Sequence, residues 1–198
     1  MNNVTKVTYY EVDGFPLSFK PINDSIEISE KEDKYTVKYL VYDDIAENPF
    51  IDSEGMGYII FHPNARYTCN EGEYEIAANT KYAMPLDAYI HGGISLSTHG
   101  KGTQCRFDTS GYIAIWIPDE YVKEHIESGT PTEKEIAERT VKCAEEACIL
   151  YNQYANGETF GCIIETYDKD KNNIDHVAIW GLFGYDSELE ELKSIEDI

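Results

Sequence analysis

The densest group of potentially reactive side chains lies between His91 and Asp108. A cysteine acts as a nucleophile when a base takes its proton and a third group orients that base. Cys105, either His91 or His99, and Asp108 carry the side chains for these three roles, which gives a cysteine-dependent hydrolase using Cys105 and His91 as one hypothesis. The alternative is that the polar residues of this interval shape a long glycine-rich turn. The interval also contains Ser95 and Ser97.

Possible metal ligands are present, but their spacing is poor. Zinc sites usually take ligands in pairs two to five residues apart, and the histidines and cysteines here are not paired in that way. Asp168-x-Asp170-x-Asn172 copies the opening of a calcium loop, but Asn173 stands where that loop needs glycine. We therefore predict a hairpin turn at this position, and we expect no metal and no other cofactor. The candidate ligands are His62, Cys69, His91, His99 and Cys105.

The chain is strongly acidic, with 37 acidic and 16 basic residues and a net charge of −21. The excess is largest in residues 151–198, where eleven acidic residues face three basic ones. A field of this sign repels nucleic acid and anionic membranes and attracts basic protein surfaces. The charge therefore predicts a basic protein partner and no direct binding of nucleic acid. Solubility alone is the alternative explanation.

Cysteine usage and hydropathy bear on the compartment. The five cysteines are an odd number and include no pair separated by two residues. The opening residues lack the apolar stretch of a secretion signal, and no apolar run approaches the roughly 20 residues of a membrane span. These features predict a cytoplasmic protein with free thiols and no membrane contact.

Strands are predicted wherever β-branched and aromatic residues cluster between turn-forming residues. Residues 23–33 are interpreted as a loop or a hairpin edge, and residues 71–80 fit a short helix or a strand equally well. A polar turn at 168–173 joins the last two strands. The predicted strands are 5–12, 34–42, 56–62, 82–90, 94–97, 111–117, 159–166 and 174–183.

Helices are predicted in the second half of the chain. One begins at Pro118 and ends at Gly129. A longer one begins with Thr130 as its N-cap and Glu133 completing a capping box, and it ends at Gly157. Residues 187–198 form a short acidic helix or a tail. The buried face of the long helix is predicted to hold Ile136, Cys143, Ala147, Leu150 and Tyr154.

This order of elements predicts the fold class. Strands come first, then helices, then a hairpin, whereas parallel α/β folds alternate strand and helix throughout. The sequence therefore predicts an α+β fold with a largely antiparallel sheet, one long helix and one or two short ones. No low-complexity linker divides the chain, so residues 1–198 are predicted to form a single domain.

Several segments resemble those of one protein family. They read MPLDAYIHGGISLST at 84–98, CRFDTSGYI at 105–113, YNQYANGETFG at 151–161 and WGLFG at 180–184, with further similarity at 43–66. The family has LPLYLYDHSGI, CPWDSGQVG and YDQYLxGDVYGY in the corresponding places. It consists of small uncharacterised acidic proteins carried by bacterial phages and integrative elements, and the resemblance covers roughly residues 40–185.

The chain departs from the family pattern at three places. Ile90 stands where the family has an acid, Gly92 where it has a serine, and Arg106–Phe107 where it has Pro-Trp. A catalytic site built on that Asp-His-Ser run would be incomplete in this chain. The resemblance therefore favours a binding role over catalysis.

A small acidic protein with relatives on mobile elements suggests an inhibitor of a bacterial defence protein of the nuclease, restriction or CRISPR type. One physical route is DNA mimicry, in which carboxylates take the place of phosphates in a basic groove. A structural accessory of a mobile element is a further alternative. The partner-binding residues are predicted among exposed C-terminal acids: Glu165, Asp168, Asp170, Asp175, Asp186, Glu188, Glu190 and Glu191.

Overall fold

The computed structural model describes residues 10–51, 54–63, 65 and 74–194. Within these residues it contains ten strands in three antiparallel sheets and four helices, which confirms the α+β class. The chain divides into two compact units, one formed by residues 1–46 and 157–198 and the other by residues 47–156. The single domain predicted for the whole chain stays a prediction.

The elements follow one another closely along the chain. In order they are β1 (Tyr10–Val12), β2 (Phe15–Leu17), a 3-10 turn (Asn23–Ser25), β3 (Glu27–Lys31), β4 (Lys34–Tyr42), β5 (Tyr58–Phe61), α1 (Tyr74–Ala78), β6 (Met84–Ile90), β7 (Ile94–Thr98), β8 (Thr109–Ile117), α2 (Glu120–Glu127), α3 (Glu133–Ala155), β9 (Thr159–Tyr167), β10 (Asn173–Phe183) and α4 (Tyr185–Ser194). The predicted strand at 5–12 lies mostly outside the described residues, and β1 is its end.

The first unit is built on a four-stranded sheet in the order β10-β9-β4-β3. Its central strand β9 is buried on both faces, which explains why its sequence reads as a nearly continuous apolar run. On one face Ile163 and Tyr167 pack against Phe15 of the β1–β2 hairpin. On the other, Cys162 packs with Leu192 of α4. The hairpin edge predicted at 23–33 is β3, which pairs with β4 along its whole length.

The second unit holds a sheet in the order β5-β8-β6-β7, against which α3 packs. Its core includes Leu86, Trp116, Ile126 and Ala147. The β6–β7 hairpin forms as predicted, with Ile90 opposite Ile94. The ambiguous segment at 71–80 contains the short helix α1.

The predicted cap of the long helix is displaced by two residues. The sequence from Thr130 to Glu135 holds two overlapping Thr-x-x-Glu frames, and the structure uses the second. Thr132 has extended backbone angles, and its Oγ accepts a hydrogen bond from the N–H of Glu135. The Glu135 carboxylate accepts one from the N–H of Thr132 in return. Pro131 therefore lies before the cap, where it costs no helical hydrogen bond.

The buried face of α3 is also rotated from the prediction. The buried residues are Thr140, Ala144, Ala147, Cys148 and Tyr151. Of the predicted face, only Ala147 is fully buried, while the other members lie half-buried at its margin. A shift of one position turns a helix by 100°, so a face assigned from a few scattered apolar residues is easily misplaced.

We expect Tyr151→Ala to lower the free energy of unfolding by about 3–5 kcal/mol, because the ring packs against Phe61 and Phe50 in the core. Lys142→Ala, on the exposed face of the same helix, should change it by less than about 0.5 kcal/mol. Urea denaturation of both variants measures the difference. Equal, small effects would mean that the face is not core.

Candidate functional site

The exposure predicted for Glu165 is wrong. Its side chain is completely buried in the first unit, where it accepts hydrogen bonds from the backbone and hydroxyl of Ser18 and from the hydroxyls of Tyr39 and Tyr167. Burial and the neighbouring carboxylate raise the pKa of both tyrosines. Glu165 therefore holds β9 to β4 and to the segment after β2, and it offers nothing to a partner.

Three of the predicted acids lie together at one end of the four-stranded sheet. Asp168 and Asp170 belong to the turn between β9 and β10, and Asp175 opposes Thr166 just beyond it. The Asp168 carboxylate accepts hydrogen bonds from the N–H groups of Asp170 and Asn172, which confirms the predicted hairpin turn. The side-chain amide of Asn172, its N–H and the N–H of Asp170 together hold the pKa of Asp168 below its usual value. We call this the turn end of the sheet.

The turn end is not strongly acidic, because lysines accompany the carboxylates. Lys169 pairs with Asp33 of the neighbouring β3–β4 turn at 2.8 Å. Lys171 donates to the backbone oxygen of Asp13 and lies over the ring of Phe15, 4.4 Å from its centre. Asp168 and Asp170 therefore sit in a mixed field, and they are weaker candidates for a basic partner than their sequence suggests.

The opposite end of the same sheet collects a denser negative charge. Antiparallel pairing brings the end of β4, the start of β9 and the end of β10 together, since Tyr42 opposes Phe160 and Phe183 opposes Thr159. Helix α4 starts there and lies back over Leu40 and Cys162. We define the acidic end by its exposed carboxylates, Asp24, Asp44, Glu158, Asp186 and Glu190. The basic residue of α4 is Lys193, in its last turn.

Tyr185, the first residue of α4, lies close to two of these carboxylates. Burial, with smaller contributions from the nearby carboxylates of Asp24 and Asp186, raises the pKa of Tyr185 to about 12. Tyr42 at the end of β4 adds an aromatic side chain that is 62% exposed and packs on Phe160. Charge and an exposed ring therefore occur at one place, the combination that suits a protein-binding surface.

The predicted acids of α4 belong to this end, with different exposure. Asp186 and Glu190 are exposed, and Glu188 is half-buried. The side chain of Glu191 lies outside the described residues. Of the eight acids predicted from the sequence, one is buried, three lie at the turn end, three lie on α4 at the acidic end, and the eighth is Glu191.

The three residues of the hydrolase hypothesis do come together in the second unit. Asp108 Oδ2 lies 3.4 Å from His91 Nδ1 and 3.5 Å from Cys105 Sγ. The acid thus stands between the thiol and the imidazole, whereas a catalytic triad places the imidazole in the middle. The His91 side chain is 72% exposed, and stacking on Tyr89 is its other described contact. The arrangement lacks an oriented base for the thiol.

Two other cysteines are poor nucleophiles. Burial raises the pKa of Cys143 and, helped by the Glu145 carboxylate, raises that of Cys148 to about 12. Both side chains therefore remain protonated thiols at neutral pH.

Sequence reasoning missed a buried carboxylate in the second unit. Asp87 accepts hydrogen bonds from the N–H groups of Gly100 and Tyr112, and its Oδ1 lies 2.8 Å from His99 Nδ1. Burial alone raises the pKa of Asp87, but hydrogen bonds from His99, Gly100 and Tyr112 outweigh it and leave the pKa below its usual value. The available signal was an acid in the middle of the apolar strand β6.

Asp87 has a structural task that explains its burial. The pairing of β6 with β8 slips at this point, so that Leu86 opposes Ala114 and Ala88 opposes Ser110. The residues between them bulge outward, and Tyr112 adopts a positive φ of 53°. The bulge leaves the N–H of Tyr112 without a partner in the strand ladder, and the carboxylate of Asp87 accepts a hydrogen bond from it. It therefore fixes the loop after β7 to β8.

Neither a metal site nor a membrane-spanning helix is found in the described residues. No group of three or more His, Cys, Asp or Glu side chains there could hold a metal ion. No helix within the same ranges is both long and apolar enough to cross a membrane. Cys69 lies outside the described residues.

The chain matches no protein-family model and no curated protein, and no solved structure matches it. The resemblance to the mobile-element family therefore stays a prediction that rests on the segments quoted from the sequence.

Proposed function

We propose that the protein is a binding module whose acidic end occupies a basic surface of a partner protein. The observation that supports this most directly is the gathering of Asp24, Asp44, Glu158 and the α4 acids at one end of a rigid sheet. Carboxylates on strand ends and a packed helix are held at fixed spacings, as a groove built for phosphates requires.

The partner that we propose is a DNA-binding protein of a bacterial defence system, inhibited because the acidic end occupies its DNA groove. The family resemblance supports the choice of defence proteins, and the charge supports the choice of a basic groove. Inhibition by occupancy needs no chemistry from the inhibitor, which agrees with the incomplete thiol arrangement at Cys105.

The test begins with capture of partners from bacterial lysate at low salt and measurement of the purified complex across a salt series. Between about 50 and 200 mM salt the on-rate should fall steeply, because exposed charges are screened beyond about 8 Å at physiological ionic strength. Duplex DNA should compete for the same partner. A salt-independent affinity without competition would rule out mimicry and leave the acidic surface to solubility.

Charge reversal localises the contact. The double variant Glu158→Lys and Glu190→Lys should weaken the complex by at least about tenfold, since two rim charges change sign at the acidic end. The matched control Glu30→Lys and Glu32→Lys alters net charge equally on exposed residues of β3 and its turn. It should change the affinity by less than about twofold. Equal losses in both variants would mean that net charge matters and the acidic end does not.

The cysteine hydrolase remains the second candidate, because Asp108 contacts both Cys105 and His91. For a binding module we expect Cys105→Ala and His91→Ala to leave the biological effect nearly intact. A Cys105→Ser variant with an unchanged melting temperature and no function would favour the enzyme. The control is Cys143→Ala, a half-buried thiol on α3.

A further inference from the structure

The two edges of the four-stranded sheet are protected very differently. The β3 edge is five residues long and carries Glu27, Glu30 and Lys31. Charged residues and short length are the usual means by which proteins prevent another strand from pairing with an edge. The β10 edge is eleven residues long, contains neither lysine nor proline, and has Asp175 as its one acidic residue.

Large apolar side chains are exposed along β10. Ile174 is 50%, Val177 43%, Ile179 46% and Trp180 44% exposed. On the described chain β10 pairs with no strand other than β9, and the N–H of His176 donates to the carboxylate of its neighbour Asp175. An apolar strand with an open edge is the surface that an extended peptide uses when it adds a strand to a sheet.

The geometry limits the length of the added strand. Pairing of β10 with β9 is irregular between Asn173 and Asp175 and again between Ile179 and Leu182. The regular part runs from Asp175 to Ile179, about 17 Å at 3.4 Å per residue. Its far end is firmly held, because the N–H of Gly181 donates to the Asp43 carboxylate.

Trp180 borders this open edge as a rigid side chain. Its ring meets Phe19 edge-on at 5.4 Å and lies against Gly161, where an added Cβ would approach the ring to 2.5 Å. The remaining exposed part of the ring needs little ordering when a partner binds, which lowers the entropic cost of the contact.

Charge indicates what kind of segment fits. Asp175 lies on the regular edge near the turn end, where Lys169 pairs with Asp33 and Lys171 donates to the backbone oxygen of Asp13, while Glu158 and Asp186 lie beyond the other end of β10. The apolar stretch from Val177 to Trp180 lies between these acids. A second copy of the chain would bring its own charge of −21 and would be repelled.

We propose that the β10 edge from Asp175 to Ile179 binds an extended segment of another protein as an added strand, and that this segment has an apolar centre with lysine or arginine at its ends. Main-chain hydrogen bonds to the open edge supply affinity, and Val177, Ile179 and Trp180 supply apolar contact. The strand edge is a different surface from the acidic end, although Glu158 and Asp186 of that end lie near one end of the segment, so the pairing along residues 175–179 does not depend on the function proposed above.

A fluorescent peptide tests the proposal directly. The probe has valine and threonine alternating in its centre and two lysines at each end. We expect saturable binding in fluorescence anisotropy, together with slower amide hydrogen exchange at residues 175–179. A peptide with a central proline should bind at least about tenfold more weakly, because proline removes a ladder hydrogen bond. A peptide with glutamates at its ends should bind equally poorly.

Variants at the two edges supply the control. Val177→Lys with Ile179→Lys should weaken binding of the lysine-ended peptide at least about tenfold, and Asp175→Lys, a milder change, should weaken it about threefold or more. Ile28→Lys on β3, also an exposed apolar residue on an edge strand, should leave binding unchanged. Any of four results would overturn the proposal: absence of binding, binding without protection of residues 175–179, equal binding of the proline peptide, or self-association through β10 in sedimentation.

Discussion

Glu165→Ala is expected to lower the free energy of unfolding of the first unit by about 2–4 kcal/mol, because the substitution leaves a buried hydroxyl without its acceptor and a cavity beside it. The carboxylate accepts bonds from Ser18, Tyr39 and Tyr167 and is completely buried. Without it, the buried hydroxyl of Tyr39 loses its acceptor, while the Tyr167 hydroxyl retains the backbone oxygen of Pro16 and the exposed Ser18 can turn to water.

Glu165→Gln should cost much less, because the amide oxygen still accepts and a tyrosine hydroxyl can rotate to accept from the amide nitrogen. Urea denaturation gives the energies, and amide hydrogen exchange should show faster exchange in β4 and β9. Glu190→Ala removes an exposed acid of the same unit and serves as control. An unchanged midpoint for Glu165→Ala would contradict the structural role and reopen Glu165 as a binding residue.

Asp87→Ala should lower the free energy of unfolding of the second unit by about 3 kcal/mol, because the N–H groups of Gly100 and Tyr112 lose their buried acceptor. Asp87→Asn retains one acceptor oxygen and should cost less. Exchange of the amides in β6 and β8 is the local readout. If alanine and asparagine were equally harmless, the bulge at Tyr112 would be stable without the carboxylate.

The same carboxylate predicts a pH dependence, to which Asp119 adds. Burial raises the pKa of Asp119, but hydrogen bonds from the N–H groups of Val122, Gly57 and Gly55 outweigh it and lower the pKa. A carboxyl whose folded pKa lies below its unfolded value stabilises the fold above that unfolded value, about 3.9. This stability is lost as the pH falls through the folded pKa. Urea midpoints should therefore fall below about pH 4, and less steeply in Asp87→Asn.

The buried acids change how the charge of −21 should be interpreted. Asp43, Asp87, Asp119 and Glu165 are all buried and hydrogen-bonded, so they serve the fold and offer no surface to a partner. The acids that remain exposed are distributed unevenly, because lysines accompany those of the turn end. Within the first unit, the acidic end is therefore the stronger candidate than the turn end for contact with a basic partner.

What the sequence determined by itself was local. Alternating and continuous apolar runs predicted β4, the β6–β7 hairpin, β9 and β10 to within a residue or two, and Asp168 with Asn172 predicted the turn between the last two strands. These signals lie within one element or one turn, where backbone preference and side-chain period decide the structure. Such local information could not decide between the two overlapping Thr-x-x-Glu motifs at Thr130 and Thr132, so the predicted cap of α3 was wrong by two residues.

Only the tertiary structure decided which acids are exposed and which lie together. Glu165 meets Tyr39 across 126 residues and Ser18 across 147, so nothing near it in sequence reveals its burial. The acidic end likewise combines residues from both ends of the chain, brought together by the pairing of β4 with β9 and of β9 with β10. The register of strand pairing is set by the packing of a whole sheet, and a sequence read one segment at a time does not contain it.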